Sequence, residues 1–338
     1  MSIAEHRMNQ DLTLINPVTS AQSVWKRAFW WIQVLVTCAL VFALCQMCRW
    51  DRMANVWTSG DPRLWLVSVI FLNLCLLAGG VALLVLIRPN GRKFSGIRFL
   101  LDYAHVQLLC QVTPGQIGEL MLPYMHGSAT IPPGTTAAGL LLQRIVAMLI
   151  VAVTAVCFAS SRISSEYVIA QSGFVILGCI AMTSLISHGG ARARFNAIVG
   201  HRYGPILNGF YGSWLEMTRE NRMRRMLPHV SLMALRFAMS VLGSYFIFLS
   251  LGVSVPLAAL TGVLAIATLA TAIPISLNGL GIVESVTVLS LRHYGPEAEE
   301  ILSACVLGRG LMMLVLLSWS FLFWIVRWNE QRASQAAG

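Results

Sequence analysis

The sequence contains few charged residues. Asp, Glu, Lys and Arg make up 11% of its 338 residues, whereas hydrophobic residues make up 57%. Soluble domains carry roughly 25% charged residues, so this chain has too few charges to cover a globular surface in water. The shortage excludes a water-soluble globular protein and predicts an all-α polytopic integral membrane protein.

Several motifs of soluble enzymes are also missing. The chain has no G-x-x-x-x-G-K-[ST] motif for ATP, so any transport must draw on a gradient, the membrane potential or consumption of the product. It has no H-E-x-x-H, and its histidines are scattered. The eight cysteines all lie in apolar segments, where we interpret them as small buried residues. We therefore predict no catalytic residue, no metal site and no cofactor.

The formal net charge of +10 does not indicate nucleic-acid binding. Seven arginines lie within 188–229 and four cations lie within 88–98, in both cases beside apolar runs. Cations in such positions set the topology of a membrane protein and attract anionic headgroups. We expect no nucleic-acid partner.

Six apolar runs are long enough to span a membrane. They are residues 29–48, 64–87, 136–160, 167–187, 230–251 and 301–326. We expect the first run to be retained as a spanning helix rather than removed as a signal peptide. The predicted organisation is an N-terminal tail (1–28), one membrane domain (29–326) and a C-terminal tail (327–338).

Two further apolar stretches, 99–122 and 257–291, are interrupted by glycine and proline. If each enters and leaves on one side, sixteen Lys and Arg residues share a side and five lie opposite. A full crossing by 99–122 would instead move the seven-arginine segment outside. The positive-inside rule therefore predicts two re-entrant helical hairpins, about six spanning helices and two cytoplasmic chain ends.

Charges within the predicted membrane segments are few. The cations are Arg144, Arg236 and Arg309, and the acids are Asp102, Glu119 and Glu284. Because charges in lipid are costly unless they are paired or hydrated, we treat them as candidate functional residues. Arg236 is the exception, since it follows the start of its run by about two turns and could extend to the cytoplasmic surface.

The two interrupted stretches resemble one another. Glu119 precedes Arg144 by 25 residues, and Glu284 precedes Arg309 by the same interval. By the charge count, the first stretch enters from the cytoplasm and the second enters from outside. Shared spacing with opposite entry predicts an inverted repeat whose broken helices meet near the midplane. Each glutamate is expected to pair with its arginine.

The breakers in each stretch predict helix starts at membrane depth. Thr113, Pro114 and Gln116 fit an N-cap, a first helical residue and a capping box. Asn278 can cap a second helix that begins near Gly279. Such helix ends expose N–H groups that bind anions. The candidate substrate-binding or gating residues are Pro114, Gly115, Gly118, Glu119, Arg144, Asn278, Gly279, Gly281, Glu284, Arg309 and Asp102.

Two interpretations of these charges remain open. They are either structural clamps that hold the hairpins in place, or they line a polar path for a charged headgroup. The cytoplasmic segment 188–229 also has two interpretations. Its apolar residues recur at helical spacing beside arginines, which is typical of amphipathic helices on anionic lipid, but a connecting elbow would show the same pattern.

At these residues the chain resembles the lysylphosphatidylglycerol synthase membrane-region family, the flippase part of bacterial multiple-peptide-resistance proteins, which also occurs in stand-alone form. The family's P-x-x-x-G-E element matches at Pro114, Gly118 and Glu119. The arginine of its E-R pair matches at Arg144. Its P-x-x-x-x-G-x-G-x-x-E element matches at Pro274, Gly279, Gly281 and Glu284. The chain departs at Leu122, where the family usually has arginine, and at Gln143, where the E-R pair has glutamate.

The resemblance and the residues together predict a flippase. The expected substrate is an anionic lipid, either a phospholipid or a polyprenyl-phosphate-linked glycolipid, in a bacterial-type cytoplasmic membrane. The membrane region accounts for the 338 residues, so lysyl transfer is not implied. Expected protein partners are a separate lipid-modifying enzyme or a second copy of the chain. The alternatives are a membrane enzyme or an accessory subunit in lipid or polysaccharide biosynthesis, and an ion-coupled solute transporter.

Overall fold

The structure is a computed structural model that describes residues 56–87, 95–125, 131–158, 165–188, 208–218, 223–271 and 279–337. Every regular element in these ranges is a helix, which confirms the all-α prediction. The main helices are α1 (Pro62–Ile87), α2 (Gly96–Val112), α3 (Pro133–Phe158), α4 (Ser165–Ser187), α5 (Met223–Ser250), α6 (Leu257–Ala270), α7 (Ile282–Leu291) and α8 (Ala298–Ala337). A 3-10 helix (Pro114–Met121) and a short α-helix (Leu122–Met125) follow α2.

Five of these helices are long and apolar enough to cross a membrane: α1, α3, α4, α5 and α8. Helix α1 has 26 residues, or about 39 Å at 1.5 Å per residue, which exceeds a hydrocarbon core of about 30 Å. The five helices coincide with five of the six predicted runs. The sixth run, 29–48, lies outside the described residues.

Two helix boundaries differ from the predicted ones by more than three residues. Helix α5 begins at Met223, seven residues before the predicted start, and α8 continues to Ala337 through the predicted C-terminal tail. Hydropathy places a boundary where charges begin, but a helix can continue past that point because its exposed turns can carry charges in water. Arg236 consequently lies at the middle of α5 rather than near its end.

Helices α6 and α7 are too short to span. Helix α6 has 14 residues and α7 has 10, or about 21 Å and 15 Å, against a hydrocarbon core of about 30 Å. They correspond to the two arms of the predicted second hairpin. The residues that join them, 272–278, lie outside the described part of the chain.

Helices α1 and α5 pack side by side in antiparallel fashion. The Ser68 hydroxyl donates to the Gly243 carbonyl at 2.9 Å, and at the other end Nδ1 of His229 lies 2.9 Å from the Ala82 carbonyl oxygen. Buried apolar side chains from α1, α2, α3, α5, α6, α7 and α8 form one continuous core. The core therefore joins both halves of the chain.

The ends of the two predicted hairpins lie against different ends of the long helices. Nη2 of Arg327, late in α8, donates to the Met125 carbonyl at 3.2 Å and lies 3.7 Å from Oδ1 of Asp102. This arginine therefore contacts both arms of segment 96–125. In α6, Gly262 packs closely against the backbone of Phe158, the last residue of α3. The first half of α6 thus lies beside the end of α3 that is remote from Met125.

The helical segment 208–218 packs into the protein. Trp214 is fully buried and belongs to the core, and its Nε1 donates to the Ser187 hydroxyl at 3.3 Å. The Ser213 and Thr135 hydroxyls lie 2.8 Å apart. These contacts favour the connecting-elbow interpretation for this part of 188–229. A membrane-surface role for the whole segment stays a prediction.

Candidate functional site

The predicted ion pair between Glu119 and Arg144 is present. Nη2 of Arg144 donates to Oε2 of Glu119 at 3.3 Å, and the two side chains are 37% and 20% exposed. Glu119 belongs to the 3-10 helix, and Arg144 lies near the middle of α3. The pair is therefore accessible, so a headgroup could reach either charge.

Gly118 determines where this glutamate lies. A Cβ atom at residue 118 would lie 2.8 Å from the Cys110 nitrogen and 2.9 Å from the Leu109 carbonyl carbon, both backbone atoms of α2. Only glycine allows the 3-10 helix to approach α2 so closely. The Thr113 hydroxyl completes the turn, because it donates to the Leu109 carbonyl and accepts from the Gly118 N–H.

The local structure around Thr113 differs from the predicted capping box. Thr113 makes no side-chain cap to the first turn, and the segment that begins with Pro114 and Gly115 is a 3-10 helix rather than an α-helix. The threonine hydroxyl bonds the backbone of α2 and Gly118, since the tight turn brings these groups closer than the N–H groups of the first turn. A helix does begin at Pro114 with Thr113 at the N-cap position, as predicted, but it is a 3-10 helix and the predicted capping box is absent.

The predicted ion pair between Glu284 and Arg309 is also present. Nε of Arg309 donates to Oε1 of Glu284, and Oε2 of Glu284 accepts the Gly281 N–H at 2.7 Å. Glu284 is buried in the first turn of α7, where negative charge is favoured by the helix dipole. This carboxylate therefore pairs with the Arg309 guanidinium and also accepts a backbone hydrogen bond at the start of α7.

The start of α7 requires glycine. Gly279 and Gly281 have φ angles of +70° and +86°, values that side chains rarely allow. The helix begins at Ile282, slightly later than predicted. The predicted cap, Asn278, lies outside the described residues.

A cavity of about 380 Å³ lies beside the first ion pair. This volume falls in the range of about 300–1,000 Å³ that small-molecule pockets occupy. Its wall comes from α1, α2, α3, α5, α6, α7, α8 and the 3-10 helix. The polar lining residues that matter most are Tyr103, Gln107, Glu119, Gln143, Arg144 and Arg236. Val283 and Met312 also line it, so the cavity extends toward the helices that carry the second pair.

Arg236 faces this cavity. Its stem packs against Gly79 of α1, and its guanidinium lines the cavity together with Cys75. A Cβ atom at residue 79 would lie 2.7 Å from the Tyr103 hydroxyl and 3.1 Å from Cδ of Arg236. The sequence left open that Arg236 extends to the cytoplasmic surface, but its side chain instead turns inward to the cavity, where Gly79 makes room for it.

Asp102 lies away from the cavity lining. Its side chain is 1% exposed, and its Oδ1 lies 3.7 Å from Arg327. This contact joins the first turns of α2 to the end of α8. A role for Asp102 in substrate binding stays a prediction.

Among the polar residues of the cavity wall that were not predicted as site residues are Tyr103, Gln107 and Gln143. A signal for two of them was present, since Tyr103, Gln107 and Gln111 recur every four residues along α2 and therefore share one face. All three line the cavity. A polar stripe on an apolar helix of a membrane protein indicates a surface that faces a polar space.

The comparisons with known proteins agree with these features. A family model described as the lysylphosphatidylglycerol synthase TM region matches residues 30–328, which is most of the chain. A search of curated proteins found no match. The two positions at which the chain departs from the family motifs have clear environments. Leu122 is fully buried in the core, and Gln143 lines the cavity.

Proposed function

Since the chain belongs to the lysylphosphatidylglycerol synthase TM region family, we propose that it is a flippase that moves an anionic lipid across the membrane. The family and the apolar helices make it a multi-pass membrane protein of lipid modification or translocation. The lipid is a phospholipid or a polyprenyl-phosphate-linked glycolipid. The observation that carries the proposal is a polar cavity among membrane-spanning helices that is lined by two arginines and one glutamate.

The charge of the cavity supports an anionic headgroup. Glu119 and Arg144 form an ion pair, whereas Arg236 forms no ion pair with any carboxylate of the described residues. An uncompensated cation in a cavity surrounded by apolar helices favours the entry of an anion. The phosphate of a lipid headgroup is such an anion.

The surface next to the ion pair supports a lipid rather than a soluble anion. Leu120, Met121 and Tyr124 lie within five residues after Glu119 and are exposed, with Leu120 58% exposed. Apolar side chains beside a polar cavity let acyl chains remain in hydrocarbon while the headgroup enters. A lipid can thus contact the apolar surface with its acyl chains while its headgroup lies in the polar cavity.

The arrangement of the short helices supports alternating entry from the two sides. Arg327 contacts both arms of segment 96–125, as a re-entrant hairpin would require. Helix α6 packs by Gly262 against the opposite end of α3. Two re-entrant hairpins that open to opposite sides form an inverted repeat, and such a repeat can expose a central site to each side in turn.

The remaining parts of the proposal follow from the charge distribution. The chain lies in the cytoplasmic membrane of a bacterial-type cell with both ends in the cytoplasm, where its arginine-rich segments meet anionic lipid. Its partners are the transported lipid and either a separate lipid-modifying enzyme or a second copy of the chain.

The test is lipid exchange in proteoliposomes. Purified protein is reconstituted with fluorescent short-chain phosphatidylglycerol, and dithionite quenching measures how fast the lipid leaves the inner leaflet. We expect exchange faster than in protein-free vesicles, and a decrease of about tenfold or more in Glu119→Gln and Arg144→Gln, because each variant removes one charge of the cavity wall.

The matched control is Glu297→Gln, which changes an exposed glutamate before α8. It should exchange lipid at the wild-type rate. Wild-type exchange no faster than that of empty vesicles, for phosphatidylglycerol and for a polyprenyl-phosphate glycolipid alike, would contradict the proposal. Full activity of the Glu119 and Arg144 variants would contradict the assigned site.

A further inference from the structure

Arg236 and its neighbours form a cluster that the two predicted ion pairs do not include. The Arg236 cluster consists of Arg236 from α5, Tyr103 and Gln107 from α2, and Gln143 from α3. All four residues line the cavity. Arg236 lies 13 residues from the start of α5, and its stem packs against Gly79 of α1.

Three buried polar atoms of the cluster make no hydrogen bond of regular geometry among the described residues, although the Tyr103 hydroxyl lies beside the Gln143 side chain. They are the Tyr103 hydroxyl, Nε2 of Gln107 and Oε1 of Gln143. Their residues are 1%, 8% and 5% exposed. Buried polar groups are nearly always hydrogen-bonded, and each one left without a partner costs about 1–3 kcal/mol. Three such groups around one cavity indicate a polar ligand.

The orientation of Gln143 is fixed by its other contact. Nε2 of Gln143 donates to the Gly79 carbonyl at 3.2 Å. Only the amide nitrogen can donate to that carbonyl, so the amide oxygen remains as an acceptor. The cluster thus presents donors from Arg236, Tyr103 and Gln107, and one acceptor from Gln143.

The charge of the cavity wall selects an anion. Its charged lining residues are Glu119, Arg144 and Arg236, which leaves one excess positive charge. A guanidinium matches the geometry of phosphate oxygens and can donate two parallel hydrogen bonds to them. The Tyr103 hydroxyl and the Gln107 amide can donate to the same phosphate.

We propose that the Arg236 cluster binds the phosphate of the transported lipid, and that Oε1 of Gln143 accepts a hydrogen bond from a headgroup hydroxyl. The proposal rests on the proposed function and specifies its substrate as a lipid phosphodiester with a hydroxylated headgroup, such as glycerol or a sugar. The Glu119–Arg144 pair lies beside the bound phosphate. Gly79 is a positioning residue, because it provides the space for Arg236 and Tyr103.

Equilibrium binding tests the cluster without requiring transport. Dioctanoyl phosphatidylglycerol is titrated into the purified full chain in detergent, with calorimetric detection. We expect the Kd to rise by about tenfold or more in Arg236→Gln, and by less in Tyr103→Phe, because the first change removes a charged donor and the second a neutral one. Arg292→Gln, which alters an exposed arginine after α7, should bind like wild type.

Dioctanoyl phosphatidylmethanol tests the contribution of Gln143. This lipid carries the same phosphodiester charge but has no headgroup hydroxyl. Wild type should prefer phosphatidylglycerol, and Gln143→Leu should lose that preference while it still binds phosphatidylmethanol. Equal binding of the two lipids by wild type would overturn the role of Gln143.

A second variant and a second ligand complete the test. Gln143→Glu places a carboxylate near Arg236 that can pair with the guanidinium, so it should weaken phosphatidylglycerol binding even if Arg236→Gln fails to fold. Glycerol phosphate supplies the headgroup without acyl chains. If glycerol phosphate binds as tightly as the lipid, the cluster is a site for a soluble phosphate, and the proposal is overturned.

The outcomes separate this proposal from the proposed function. Wild-type phosphatidylglycerol affinity in both Arg236→Gln and Gln143→Glu would overturn the phosphate site, even if lipid exchange persists. Binding that depends on Arg236, without lipid exchange by the wild type, would support the phosphate site and contradict the flippase.

Discussion

The two ion pairs differ in their surroundings, although each joins residues 25 positions apart. Glu284 is nearly fully buried and also accepts the Gly281 N–H, whereas the Glu119–Arg144 pair borders the cavity. Removing one partner of a buried pair leaves an uncompensated charge, which costs about 3–5 kcal/mol, whereas exposed pairs contribute about 0–1 kcal/mol. We therefore infer that the first pair has more freedom to exchange partners than the second.

This difference predicts unequal effects on stability. Glu284→Gln should lower the melting temperature in detergent by several degrees, because it leaves Arg309 without its carboxylate and weakens the start of α7. Glu119→Gln should lower it by about 1–2 °C or less, since its pair is accessible. Thermal unfolding followed by tryptophan fluorescence measures both variants. Equal losses of stability would contradict the distinction.

At this scale, spacing alone predicted the partners of both glutamates. Their common interval of 25 residues was sufficient because each arginine lies in the next long helix. The position of Arg236 could not be predicted in the same way. Its inward direction depends on Gly79 of another helix, which provides the space for its stem.

The broken elements are the features that distinguish this chain from a simple bundle of spanning helices. Segment 96–125 consists of α2, a 3-10 helix and a short α-helix, and Arg327 contacts both of its arms. The glycine and proline pattern predicted the break but not its geometry. A 3-10 helix forms here because Gly118 packs directly on the backbone of α2, a contact between residues that no local pattern records.

The re-entrant arrangement predicts which residues share a side of the membrane. Single cysteines at Met125 and His188 should react with an impermeant maleimide only from the cytoplasmic side, and a cysteine at Glu297 only from the outside. Labelling in right-side-out and inside-out vesicles measures this, with the wild-type chain giving the background from its native cysteines. Labelling of cysteines at residues 125 and 297 from the same side of the membrane would contradict the arrangement.

At the scale of the whole molecule, α8 ties the two halves of the chain together. Near its start it carries Arg309 of the second ion pair, and near its end it contacts α2 through Asp102 and Arg327. A second pair, Arg98 and Glu330, lies nearby with Nη1 and Oε1 3.1 Å apart. His105 stacks on Phe323 with ring centroids 4.4 Å apart. These contacts close the first half against the last helix.

This closure predicts that Arg327→Ala destabilises the fold. The change removes the charge partner of Asp102, which is 1% exposed, and the donor to the Met125 carbonyl. We expect a loss of about 1–3 kcal/mol, seen as a melting temperature lower by a few degrees. Arg332→Ala is the matched control, since Arg332 is exposed and stacks on Trp328 in the described part of the chain. Equal melting temperatures for Arg327→Ala and wild type would contradict the closure.

The sequence by itself determined the class of the protein, five of its spanning helices and both glutamate–arginine pairs. These features depend on the amount of charge, on the length of apolar runs and on intervals along the chain. Only the tertiary structure decided which polar residues share a cavity. Arg236, Tyr103 and Gln143 belong to three helices, and they meet because glycines in α1 let those helices approach. Such approach depends on packing between distant segments, which the order of residues along one helix does not record.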